Sequence, residues 1–290
     1  MTELMAAEWY KLRKRMMTRT LALLLMALVV LLYVILWSTS VRVSHFGDNN
    51  RFTGIDLRHA LYLPGAVPYA LQVIGSFGAI LAMILAAGSI GSEYGWGTVR
   101  LIATAASGRM RLIAAKLIVV FGLTAAGMLL AIAAALACSL VISLYYGGTS
   151  ASFLTGGFVR DQFAAYGRTL FVLVPYLTLA FAVAVFGRST LAGVGTGLGV
   201  AFIEPIVDAL MRSAGSPWKD IPNYLLNTNR QIILLQNKVP DVLPRLGGDR
   251  GDLAGAHDPV VAGLILAAYS VAFVVIAFAL FRRRDIGSST

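Results

Sequence analysis

LIVVFGLTAAGMLLAIAAALACSLVISLY, residues 117–145, contains no charged side chain over its whole length. A hydrocarbon core about 30 Å thick is crossed by roughly 20 mostly apolar residues in a helix, so this run alone is long enough to span a bilayer. Backbone groups that face lipid must be satisfied within the segment, which leaves a helix or a closed barrel. The alternation of about ten residues that marks a barrel strand is absent, so the run reads as a helix.

Five further runs of the same character lie on either side, at residues 20–37, 66–90, 164–186, 191–211 and 260–281. The composition agrees with them. Of 290 residues, 58% are hydrophobic and 13% charged, against about 25% charged in an ordinary soluble domain. The expected fold is all-α, a polytopic membrane protein with six transmembrane helices in one transmembrane domain over residues 1–290. The longest piece between spans, an outer loop at 212–259, is too short for a sizeable domain of its own.

The net charge is +10. Basic residues flank the spans and form no stripe on a soluble domain, so nucleic acid is excluded as a partner and orientation explains them. Segments 1–19, 91–116, 187–190 and 282–290 hold Lys11, Arg13, Lys14, Arg15, Arg19, Arg100, Arg109, Arg111, Lys116, Arg188 and Arg282 to Arg284. That density places them inside, with both termini cytoplasmic in a cell inner (plasma) membrane. The first span has no small-residue cleavage site and is expected to be retained. Cys138, within the third span, has no partner for an intrachain disulfide.

The opening MTELMAAEWYKLRKRMM spaces Met5, Trp9, Leu12 and Met16 helically and turns Lys11, Arg13, Lys14 and Arg15 the other way. This pattern is that of an amphipathic helix lying in the interface, with Trp9 at headgroup level and cations near anionic lipid. A plain basic flank is the alternative. At the other face, IPNYLLNTNRQIILLQN (221–237) and VPDVLPRL (239–246) are apolar pieces too short to span. They read either as re-entrant or interfacial helices or as a small helix in an ordinary outer loop.

Chemical motifs are few. No GxxxxGK[ST] is present, so the chain has no phosphate loop of that type. GVGTGLG at 193–199 sits in an apolar run with no preceding strand, and its glycines four apart read as a helix-packing face. His45, His59 and His257 are too far apart to suggest a metal site. HExxH and GxSxG are absent, and no catalytic residue is expected.

Glu204 and Asp208 share a helical face, roughly 20 and 26 Å into the span that starts at Leu191. An acid at that depth faces protein, water or a partner, which makes both residues candidates for a translocation path, with Pro205 between them able to break the helix. The other reading ends the span near Ile203 and leaves both acids wetted at the outer surface.

Between the second and third spans lies GSEYGWGTVRLIATAASGRMR, residues 91–111. It is short and amphipathic, with Val99, Leu101, Ile102 and Met110 able to pack while Glu93, Arg100, Arg109 and Arg111 remain accessible. A simple charged turn is the alternative. SEYGWGTVRLIATAASGRMRLIAAK resembles the corresponding segment in permeases of the type-2 ABC exporter family, with Glu93, Gly97, Thr98, Arg100, Gly108, Arg109 and Lys116 matching its pattern. AAEWYKLRKR is similar to the family's amino-terminal interfacial helix, with Glu8 and Lys11 in place beside Trp9.

The resemblance implies a cytoplasmic coupling helix within 91–111 that docks on a separate ABC ATPase subunit. ATP and Mg would bind to that subunit, present in two copies, and no cofactor to this chain. A second permease copy or a sister permease completes the implied assembly, which exports its substrate by alternating access. Glu93, the only acid between Ile90 and Lys116, is the expected charged contact with the ATPase, alongside Gly97, Thr98, Arg100 and Arg109. The competing reading is an ion-coupled secondary transporter that uses Glu204 and Asp208.

Overall fold

The structure, a computed structural model, describes residues 1–43, 61–95, 109–146, 154–237 and 257–283. Every regular element in them is helical. In chain order these are α1 (Thr2–Lys14), α2 (Met16–Val43), α3 (Leu63–Gly95), α4 (Arg109–Tyr146), α5 (Gly156–Gly187), α6 (Thr190–Ser213), a 3₁₀ turn (Trp218–Tyr224), α7 (Leu226–Leu234), a second 3₁₀ turn (Leu235–Asn237) and α8 (Pro259–Arg283). Helices α2 to α6 and α8 are six elements long and apolar enough to cross a membrane, and each contains one of the six expected spans. The protein is an all-α, multi-pass membrane protein.

Most of these helices overrun the apolar stretch that announced them, because polar residues at their ends continue the same backbone. Residues 109–116, for example, form the first two turns of α4. Two short devices separate the elements. Arg15 is extended, with φ −64° and ψ 137°, and breaks α1 from α2. Arg188, at φ 50°, closes α5 in the left-handed conformation, and Ser189 Oγ then accepts the Leu191 N–H to open α6.

Helices α3 and α5 form the centre, with 72% and 61% of their apolar windows buried against 11% in α6. They pack on each other, and α6 closes over both. The seam is made of small residues, as expected where helices in lipid gain from close approach. A Cβ on Gly193 would meet the Ala180 carbonyl at 2.6 Å and the Ala87 methyl at 2.7 Å, and one on Gly197 would meet Met83 Sδ at 2.8 Å. The Gly-rich run at 193–199 is thus a packing face on its 193/197 side. Gly195 meets nothing within 4 Å.

Helix α3 is not uniform. Residues Ile74–Gly78 widen into a π turn, a local departure often found where a helix serves a site. Two hydrogen bonds fix its start: the Tyr33 hydroxyl donates to the Ala66 carbonyl at 2.7 Å, and the Ser139 hydroxyl to that of Leu61 at 2.8 Å.

Candidate functional site: two polar clusters at opposite ends of the bundle

Each end of the bundle holds a polar cluster. The first lies where the chain is most basic. Glu8 comes from α1, Glu93 from the last turn of α3, and Lys116 from the second turn of α4. Lys116 is fully buried, and its Nζ donates to Glu93 Oε1 at 2.6 Å and to Glu8 Oε2 at 2.7 Å. Lys11 Nζ also donates to Glu93 Oε1. Arg15 approaches the same oxygen at 3.9 Å while donating to Ser92 Oγ at 2.8 Å. Three cations thus surround two carboxylates, of which Glu93 is 1% exposed and Glu8 5%.

The physics of this arrangement is asymmetric. Two buried opposite charges gain little over an apolar pair of the same shape, but removing one partner leaves an uncompensated charge in low dielectric. The cluster therefore specifies how α1, α3 and α4 meet more than it adds stability. Its location gives that specification a consequence. Glu93 precedes the end of α3 by two residues, and Lys116 follows the start of α4 by seven. Their bond joins the two flanks of the segment 96–108.

Two expectations change here. Glu93 is not accessible, because Lys11, Lys116 and Arg15 enclose its carboxylate; a carboxylate at the end of an apolar helix is stabilised by turning toward cations rather than toward lipid. The face of α1 turned into the bundle is Glu8 and Leu12, flanked by the half-buried Met5 and Arg15. Met16 is 71% exposed and Trp9 36%. The hydrophobic spacing included Met5 and Leu12 but not Glu8, whose nearest partner, Lys116, lies on another helix. Trp9 nevertheless packs, with its ring 3.1 Å from where a Cβ on Gly122 would sit.

Gly97, Thr98 and Arg100, together with the expected coupling helix around them, lie outside the described residues, as do Trp96 and Gly108. Arg109 is the first residue of α4, and Arg111 is exposed.

The second cluster lies at the opposite end and is built on the piece 218–237. The nine residues of α7 are too short to cross a membrane and pack among α5, α6 and α8, with Leu226, Ile232, Ile233 and Leu234 buried. A Cβ on Gly75, in the π turn of α3, would lie 2.6 Å from Leu234 Cδ1, so the glycine makes room for α7. Polar ties complete the docking. Arg230 donates to Asn227 Oδ1 at 2.7 Å and stands 5.6 Å from the Tyr176 ring centroid, near enough for a cation–π contact. Asn237 donates to Thr169 Oγ1 at 3.0 Å and accepts from Arg168 Nε at 2.9 Å.

Glu204 and Asp208 belong to this second cluster. No side chain of its own caps α7, and Glu204 Oε1 accepts the Asn227 N–H at 3.0 Å in that position. A carboxylate there satisfies one of the first-turn donors and meets the positive end of the helix dipole. Glu204 Oε2 has no hydrogen-bond partner among the described residues. Asp208 pairs with Arg212 at 2.8 Å one turn on, and Arg212 reaches Asn223 Oδ1 at 3.4 Å. Both acids are half-buried and hold the 218–237 piece to α6.

Among the described residues no group of three metal-ligating side chains occurs. His257 stacks edge-on near Tyr224, with ring centroids 5.0 Å apart, and His45 and His59 lie outside the described residues.

The sequence motif named Glu8, Lys11, Glu93 and Lys116 but not their convergence, and it passed over Arg15. A signal was present: each is a charge at the margin of an apolar run on the same expected side, and opposite charges so placed neutralise one another most readily. The asparagine ties of the 218–237 piece had no such signal.

No curated protein matches the chain. A family match begins after α2 and takes in α3 to α8, so it includes Glu93, Lys116 and the whole second cluster. The chain belongs to the family described as "Protein of unknown function (DUF2705)", which matches it over residues 57–287.

Proposed function

We propose that this protein is the membrane-spanning permease subunit of an ATP-driven exporter, powered by a separate ABC ATPase and working with a second permease copy or a sister permease. The observation that carries the reading is the buried Glu8–Lys116–Glu93 cluster. Residues singled out by their resemblance to type-2 ABC exporter permeases meet at one point, on the two helices that flank in sequence the segment that the resemblance assigns to ATPase docking.

The mechanism follows from that mounting. A soluble subunit that presses on 96–108 moves the flanks of α3 and α4 together, because Glu93 and Lys116 lock them. α3 is the most buried of the six long apolar helices, and its displacement is felt by α5 and α6 across the small-residue seam. For nucleotide to drive such a change, the partner's ATP-bound state must prefer one of the two permease conformations. In this reading Glu93 holds the flanks of the docking segment and does not touch the ATPase, while Gly97, Thr98, Arg100 and Arg109 remain the candidates for contact. ATP and Mg belong to the partner, and this chain supplies no hydrolytic chemistry. The long, partly apolar outer piece suits an amphipathic or lipophilic substrate.

The competing reading, an ion-coupled carrier, draws on Glu204 and Asp208. Their bonds to Asn227 and Arg212 give both acids a holding role, which favours the exporter. Affinity purification of the tagged chain from its native membrane in mild detergent distinguishes the two. Co-purification of a P-loop ATPase whose hydrolysis responds to the permease is the expected result. Uptake or efflux by the purified chain alone, driven by an ion gradient, would overturn it.

A further inference from the structure

A cavity of about 290 Å³ lies on the flank of the bundle, bounded by α1, the start of α2, α3 and α4. Leu25, Ile74, Leu81, Leu85 and Met128 give it an apolar wall, and Arg13 and Arg19 line it from positions exposed to solvent, which marks its mouth. From Leu85 to Ile74 along α3 is eleven residues, about 16 Å at helical rise. That is roughly the depth of one leaflet of a hydrocarbon core about 30 Å thick.

The cations of the buried cluster differ from those that line the cavity. Lys11, Arg15 and Lys116 are committed to Glu8 and Glu93, whereas Arg13 and Arg19 are exposed and form no salt bridge among the described residues. No acid lines the cavity. The Thr18 hydroxyl does line it, is shielded from solvent, and has no hydrogen-bond partner among the described residues.

We propose that this groove is a binding site for one anionic phospholipid, with an acyl chain along α3 and α4 and the headgroup phosphate on Arg13 and Arg19. An apolar slot of one leaflet's depth with two uncommitted guanidiniums at its mouth matches the two halves of such a molecule. Guanidinium is also the side chain best shaped for a phosphate. A zwitterionic lipid fills the slot equally well but brings an ammonium to a mouth that has no acid to receive it. The site requires only that the protein lies in a membrane and is independent of the exporter reading.

The test uses the full chain purified in mild detergent, with thermal unfolding followed as phosphatidylglycerol or phosphatidylcholine is added at matched amounts. Phosphatidylglycerol is expected to raise the midpoint further, and to remain bound through purification when phospholipid is identified by mass spectrometry. The double variant R13Q/R19Q, on exposed positions, is expected to weaken that preference on the order of tenfold. R160Q, an exposed change on α5, is expected to leave it intact. Gly127 lines the groove, and a Cβ there meets nothing within 4 Å. Gly127→Trp should therefore occupy the slot and reduce retention of both lipids. Equal stabilisation by the two lipids overturns the proposal, as does an undiminished preference in R13Q/R19Q. Wild-type lipid retention in Gly127→Trp, or an equal effect from inorganic phosphate alone, overturns it too.

Discussion

The two ends of the bundle solve the same problem with different chemistry. At the basic end, full charges meet: Glu8, Glu93 and Lys116 are 0–5% exposed and come from three helices. At the other end the buried polar groups are amides, with Asn223, Asn227, Asn229 and Asn237 buried and the charged residues Arg168, Glu204, Asp208, Arg212 and Arg230 half-buried around them. A neutral amide network loses one modest bond when a member is removed. A charge cluster loses its neutrality, so the basic end is the all-or-none joint of the molecule and the opposite end a distributed one.

Lys116→Met is the hardest test of that contrast. It leaves Glu8 and Glu93 buried together, and the expected loss is about 3–5 kcal/mol, measured as a fall in the thermal midpoint of detergent-purified protein. Replacing Glu8, Glu93 and Lys116 together by Met should be less harmful than Lys116→Met alone, since no buried carboxylate then lacks its lysine. A loss additive over the three sites would mean that the cluster is hydrated and that the contrast fails.

Between the two ends, Gly193→Leu probes the seam that connects them. Its side chain has to enter the space held by the Ala180 carbonyl and the Ala87 methyl, with an expected cost of about 1–3 kcal/mol. Crosslinking between α3 and α6 through introduced cysteine pairs would report the displacement.

At the amide end the effects shrink. Glu204→Gln retains an oxygen for the Asn227 N–H but removes the charge from the start of α7, for about 0.5–1 kcal/mol. Limited proteolysis of 218–237 should accelerate modestly. Asp208→Asn breaks a partly exposed pair with Arg212 and is expected to cost under about 1 kcal/mol, and less at high salt. A collapse of the fold in either variant would show that Glu204 and Asp208, and not the basic cluster, are the critical joint.

The six spans were readable because lipid imposes a length and a composition that few other environments demand. The 117–145 run needs no partner to be recognised, and α4 contains it whole. Helix ends were less readable. Residues 109–116 carry Arg109, Arg111 and Lys116, and hydropathy stops before them although the backbone does not. The π turn at Ile74–Gly78 left no mark in the hydropathy of α3; it becomes intelligible only beside α7, whose Leu234 occupies the space over Gly75.

Charge by itself determined that Glu93 and Lys116 sit at the margin of the membrane, since an unpaired charge at its centre costs some kcal/mol. For Glu204 it left two readings, an acid facing protein or a path within the span and an acid wetted beyond its end. Which partner, and on which helix, was decided by the tertiary structure alone. Glu93 and Lys116 are 23 residues apart, and Glu8 and Lys116 are 108 apart. Periodicity reports the face of one helix at a time, whereas a pairing over such separations depends on how three helices are packed, which no local pattern contains.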